Sequence, residues 1–129
     1  VFGGVFERHP KLKLVAVESD VSWLPHLLSR MDTVYPRYRY HESTATLSMQ
    51  PSEYVARNVY LTMQDDYPVA HMTDILPMDR VLWANDYPHG DGIWPNSRTV
   101  LAKMAETMSE EHMRMMVHDN VAELYGLTI

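Results

Sequence analysis

The sequence predicts an α/β fold built on a parallel sheet. Three observations carry this expectation. Three short apolar runs read as strands, "KLKLVAVE", "VYLTMQ" and "RVLWAND". The segments between and after them carry helical periodicity. The intervals are long enough for the crossover of a dozen or more residues that parallel neighbours require.

Taken in order, the chain opens on "GGVFERHP", which reads as the inside of a helix stopped by His9 and Pro10. The first residue is Val1 rather than Met, so the natural polypeptide is expected to extend upstream and this chain to be its C-terminal piece. Lys11 to Glu18 alternates and then runs apolar with β-branched Val15 and Val17, a strand pattern. Trp23, Leu24, Leu27, Leu28 and Met31 recur at three-to-four spacing. They predict an amphipathic helix with Pro25 in its first turn and Pro36 as its end.

The polar stretch from Arg37 to Gln50 lacks a period and reads as an inserted arm, a dimer contact or a lid. "PSEYVARN" is a short helix opened by proline. Val59 to Gln64 is the second strand, "PVAHMTDILPMD" a second helix between strands, and Arg80 to Asp86 the third strand. After a glycine-containing loop, "PNSRTVLAKMAETM" predicts a helix capped by Asn96 or Ser97, and "SEEHMRMMVHDNVAELYG" one or two more, closed by Gly126.

Composition narrows the function classes. At 129 residues and 46% hydrophobic, the chain can build one core. Eleven Lys and Arg against seventeen Asp and Glu give a formal charge of −6, which opposes nucleic acid or anionic membrane as a partner. No apolar run approaches the roughly 20 residues needed to cross a bilayer. There is no cysteine, so any metal must be held by His and carboxylates, and a cytoplasmic location is the expectation. The ten methionines, mostly at helical spacing near the C-terminus, fit either adaptable core packing or a binding groove.

In parallel α/β folds the ligand site lies beyond the C-terminal ends of the strands. Here those ends are acidic: Glu18 with Ser19 and Asp20, Gln64 with Asp65 and Asp66, and Asp86. A carboxylate past a buried strand is costly unless hydrogen-bonded, paired or bound to metal. Asp86 is the sharpest case, because Tyr87, Pro88 and His89 follow and Gly90 and Gly92 let the backbone approach a ligand; a turn aspartate is the plainer alternative. His89 could ligate metal, donate to a substrate or carry protons, or simply bond a neighbour such as Asp91. His26, His71, His112 and His118 suit surface or cap roles, and His41 falls in the arm. No His-x-His, His-Glu-x-x-His, phosphate loop or nucleophile elbow occurs, so the chain lacks a complete metal site.

The segments "GVFERHPKLKLVAVES" with "WLP", "PSEYVARNVYLTMQDD", "VLWANDYPHGDGIWPNS" and "HDNVAELYGL" occur in order over nearly the whole chain. Together they resemble the C-terminal half of the metal-dependent amidohydrolase superfamily, in the branch that includes aminocarboxymuconate semialdehyde decarboxylase and related TIM-barrel hydrolases. The resemblance implies a (β/α)8 barrel of roughly 250 residues or more, of which strands six to eight with their helices are present. It implies one domain, with residues 1–129 its C-terminal portion. It makes Asp86 the metal ligand that takes a proton from water or relays one in decarboxylation. The remaining ligands, a His-x-His on strand one and a histidine on strand five, would lie upstream. Decarboxylases of the branch place a histidine at the end of strand six, where Glu18 stands here, and this departure favours a hydrolase.

The expectation is therefore a metal-dependent hydrolase of a small carbonyl or carboxylate substrate. Asp86 serves as ligand and base, Glu18 is at the catalytic position, His89 and Trp23 contact the substrate, and the divalent metal is zinc. Glu18 could instead bind a substrate cation or pair with an arginine, and Trp23 and Trp94 could simply pack. The alternatives are a carboxy-lyase, or a catalytically silent fragment whose open sheet edges associate with a partner chain or with its own copy.

Overall fold

The computed structural model describes residues 1–128. They divide into two compact units, one of Val1–Leu14 with Trp23–Val59, the other of Val15–Ser22 with the chain from Tyr60 onward.

The first unit is helical: α1 (Val5–Arg8), α2 (Leu24–Tyr38) and α3 (Pro51–Asn58). Pro25 lies in the first turn of α2, where its missing N–H costs nothing. Pro36 does not stop the helix, which continues to Tyr38. So close to the C-terminus, proline removes one hydrogen bond and leaves little helix beyond it to break. Of the expected apolar stripe only Leu24 is fully buried, and Leu27 remains 40% exposed.

Side chains rather than strands or helices order the arm. The Tyr35 hydroxyl accepts from Leu47 N and donates to Ala45 O, and Ala45 N donates to Phe2 O. Buried Tyr54 donates its hydroxyl to Glu7 Oε2, and both accept from Ser48 N. Asp32 takes the N–H and hydroxyl of Ser52 at 2.9 and 2.6 Å, and Glu53 takes Gln50 N at 2.7 Å, so two carboxylates satisfy donors at the start of α3. At its other end Asn58, wholly buried, donates to the carbonyls of Pro10 and Leu12 and accepts from Arg57 Nε.

The second unit holds the sheet. Strands β1 (Leu14–Ala16), β2 (Val59–Met63) and β3 (Val81–Trp83) lie in the order β1-β2-β3. β2 and β3 pair in parallel, with Leu61 opposite Val81 and Met63 opposite Trp83. Each strand is shorter than its predicted run, whose polar end residues, Glu18, Gln64 and Asp86 among them, leave the ladder. β2 is buried throughout, whereas β1 is an edge with Leu14 51% and Val17 61% exposed.

The helix expected over residues 68–79 is absent. Three 3-10 turns take its place, at Tyr67–His71, Thr73–Ile75 and Met78–Arg80. Pro68 and Pro77 remove donors, and Val69, Thr73 and Ile75 are β-branched, so isolated i→i−3 bonds such as Met72 N to Val69 O replace a continuous ladder. Beyond the site loop come α4 (Ser97–Met104), α5 (Glu110–Arg114), one π turn (Met115–Asp119) and α6 (Asn120–Tyr125). Gly126 closes α6 at φ 63°, and Ser109 Oγ caps α5 by accepting from His112 N. Met104, Met108 and Met116 are buried, which assigns these methionines to core packing. Buried Asn120 donates to the carbonyls of Met78 and Val81 at 2.7 Å, clamping the chain as it enters β3.

The Glu7 carboxyl is held below its ordinary range, first by the Tyr54 hydroxyl, then by the Ser48 N–H and hydroxyl. A lowered folded value means that this contribution is complete above the ordinary glutamate range and lost as pH falls through the lowered value. Glu7→Gln is expected to reduce stability at pH 7 and to approach wild type as pH falls below the ordinary glutamate range and through the lowered value, measured by urea unfolding across pH. A difference that persisted unchanged into acid would contradict this.

Candidate metal centre

Glu18 and Asp86 reach the same place from opposite edges of the sheet. Both sit just past a strand with left-handed backbones, φ 56° and 54°, and Asp20 shares the conformation at 50°. A non-glycine residue there costs of order 1–3 kcal/mol and persists only where surrounding bonds fix it. For the turn carrying Glu18 and Asp20, bonds to β2 and the turn after it do this. Thr62 Oγ1 accepts from Glu18 N at 2.8 Å, and Asp20 Oδ1 accepts from Gln64 N at 3.3 Å. Buried Asp66 takes Val21 N and Ser22 N at 2.8 and 2.6 Å.

The loop after β3 is a self-contained set of turns. Ala84 N donates to Met63 O, His89 N to Asp86 O, Gly92 N to His89 O and Ile93 N to Asn85 O. Tyr87 and Trp94 meet edge to face at 4.9 Å. Gly92 is required by the loop itself, since a Cβ there would lie 2.8–3.0 Å from the carbonyl oxygens of Asp86, Asn85 and His89. Gly90 faces open space within 4 Å. The two glycines therefore differ: Gly92 permits close packing of the turn, while nothing crowds Gly90.

His89 Nδ1 and Asp86 Oδ1 are 2.6 Å apart, so the histidine bonds Asp86 rather than Asp91. The Asp86 side chain is 12% exposed and that of His89 64%. The imidazole is held above its ordinary range by this hydrogen bond first, then by the charges of Asp86 and Glu18. Donor atoms of Glu18, Asp86 and His89 all lie within 4.8 Å of one another. Ligands about 2.0–2.2 Å from one ion are at most about 4.4 Å apart, so shifts of a few tenths of an ångström would seat a divalent cation.

The cleft at these strand ends has a volume of about 220 Å³ and carries Glu18, Asp20, Asp86 and Asp91 with Thr62 and Gln64. Neither Lys nor Arg lines it among the described residues. Burial pushes the Asp20 carboxyl up, and the charges of Asp66, Asp65 and Asp91 add to this, against the bond from Gln64 N. Gln64 Oε1 is buried without a hydrogen-bond partner. Crowded carboxylates and an unpartnered carbonyl oxygen are the chemistry of a cation site.

Of the residues singled out from sequence, Glu18, Asp86 and His89 come together. Trp23 precedes α2 in the first unit and is 43% exposed; the described cleft is lined without it. Trp94 packs on Tyr87 within its own loop. Thr62 was not anticipated, although an aliphatic hydroxyl in the apolar run "VYLTM" beside acidic strand ends is the signal for it.

Gly92→Ala forces three carbonyl contacts apart. It is expected to cost about 1–3 kcal/mol in urea unfolding; a variant as stable as wild type would show that the loop does not depend on this close approach.

Residues 1–127 match the amidohydrolase family, and comparison with curated proteins finds no match. Among solved structures, 5-carboxyvanillate decarboxylase from Sphingomonas paucimobilis superposes with a TM-score of 0.82 at 23% identity, over 98% of this chain and 37% of that one. An amidohydrolase from Mycobacterium avium subsp. paratuberculosis gives 0.75 at 26%, over 94% and 30%. A 5-carboxyvanillate decarboxylase from Novosphingobium aromaticivorans, with bound manganese and 3-methoxy-4-hydroxy-5-nitrobenzoic acid, gives 0.77 at 22%, over 98% and 36%. The chain thus spans about a third of the length of these structures. Its α/β fold is part of a (β/α)8 barrel. With the family matched from Val1 to Leu127, the chain belongs to the amidohydrolase family.

Proposed function

We propose that the full-length protein is a metal-dependent hydrolase of the amidohydrolase type acting on a small carbonyl or carboxylate substrate, and that this chain is the C-terminal portion of its single barrel domain. The observation that carries the reading is the meeting of a nearly buried Asp86 with His89 and Glu18 where barrel enzymes place their chemistry.

Asp86 would serve as metal ligand and proton acceptor. Its Oδ1 is engaged by His89, which leaves Oδ2 for the ion. His89, more exposed than Asp86, orients that carboxylate through Nδ1 and keeps Nε2 for a substrate oxygen. A divalent cation, when bound, polarises a carbonyl and makes water acidic enough to ionise near neutral pH. Carboxylate and imidazole donors suit zinc, the expectation from sequence, and also manganese, which the similar N. aromaticivorans decarboxylase contains.

Carboxy-lyase chemistry is the second reading, favoured by the two similar decarboxylase structures. Against it stands Glu18 at the strand end where decarboxylases of the branch are expected to carry a histidine. The same barrel context accounts for the exposed Leu14 and Val17 on the β1 edge, which a neighbouring strand or a second copy would cover.

In the full-length protein, Asp86→Asn is expected to lower kcat/KM by about 10²–10⁴-fold with an unchanged circular dichroism spectrum. Turnover of small amides and esters would be scored beside carbon dioxide release from aromatic acids. Carbon dioxide release without hydrolysis would select the second reading, and wild-type rate and metal content in Asp86→Asn would overturn both.

A further inference from the structure

We infer that Glu18 is a ligand of the same divalent ion as Asp86, so that this chain gives the cation donors from the C-terminal ends of both β1 and β3. This rests on the metal-dependent reading above and adds to it a donor from a second strand.

Glu18 is placed for this by its backbone. Its N–H is bound to Thr62 Oγ1 at 2.8 Å, and the following turn is tied down by Asp66 through Val21 N and Ser22 N. The position of the residue is therefore set by the sheet and does not depend on a partner for its own carboxylate. A structural ion pair is the competing role for a glutamate at a strand end. Among the described residues the arginine pairs are Arg80 with Asp79 and Arg114 with Asp119, while His89 bonds Asp86 and His118 bonds Asp119. None of these gives the Glu18 carboxylate a cation.

What lies near that carboxylate is a second carboxylate and an imidazole, with all three donor atoms inside 4.8 Å. Two carboxylates at such a distance repel unless positive charge stands between them. His89 is committed through Nδ1 to Asp86 Oδ1, which makes it a positioning residue for that carboxylate, and among the described residues neither Lys nor Arg lines the cleft beside Glu18. Gln64, whose Oε1 is buried without a hydrogen-bond partner, lines the same cleft. One divalent ion between Glu18 and Asp86 offsets that repulsion. Carboxylate oxygens suit manganese.

The test is metal binding to the metal-free full-length protein, followed by the electron paramagnetic resonance signal of free Mn²⁺ during titration. Wild type is expected to bind one equivalent. Glu18→Gln, with the same size and no charge, is expected to weaken binding by at least roughly 10–100-fold, and Glu18→Asp to fall between them. The Co²⁺ absorption spectrum, read on each variant at saturating metal, should change with Glu18→Gln, as expected when a coordinating oxygen is lost. If Glu18→Gln binds Mn²⁺ as tightly as wild type with the same Co²⁺ spectrum, while Asp86→Asn loses the metal, Glu18 is not a ligand and the Asp86 centre stands. If wild type binds neither ion, the metal-dependent reading itself falls.

Discussion

Everything at the site depends on how the ends of two edge strands are fastened to the strand between them. β2 is buried on both faces, and its last residues use their polar groups on neighbours instead of water. Thr62 and Asp66 fix the turn carrying Glu18, and Met63 O receives Ala84 N on the way to Asp86. Because both acidic ends take their position from one rigid strand, the two carboxylates can be held in unfavourable left-handed backbones and close together. A hydrated loop could not hold like charges in that arrangement without relaxing.

Two buried asparagines support that frame in the same chemical way. Asn58 gathers the carbonyls that lead into β1, and Asn120 gathers those that lead into β3. Each buried amide ties two backbone carbonyls of a distant segment to one side chain, and removing it would leave buried polar groups short of a partner at about 1–3 kcal/mol each. The fold thus spends long-range side-chain bonds at the strand entrances and exits, where three-residue ladders at β1 and β3 offer few backbone bonds of their own.

This explains which features were legible in the chain. The run "VLWAND" ending on an acid, with a histidine three positions on, identified Asp86 and His89, and the acid ending "LVAVE" identified Glu18. Local chemistry was enough to single out side chains that meet in the fold, because apolar burial and an ionisable end are both written in adjacent residues. Thr62 and Asp66 act on partners 44 or 45 residues away, so no periodicity reports them. The segment from Pro68 to Asp79 failed for the opposite reason. Its apolar spacing mimics a helix, but its prolines and β-branched residues favour separated 3-10 turns once the ends are packed. Pro36 misled similarly, since a proline in a final turn is tolerated where one in the middle is not. Trp23, judged by aromatic character alone, carried no information about its place.

The most direct measurement is anomalous diffraction from crystals of the full-length protein grown with Mn²⁺. The account predicts one manganese peak in the cleft at the strand ends, with oxygens of Asp86 and Glu18 about 2.0–2.2 Å away. A protein that takes up manganese elsewhere and leaves Asp86 bonded to His89 alone would contradict it.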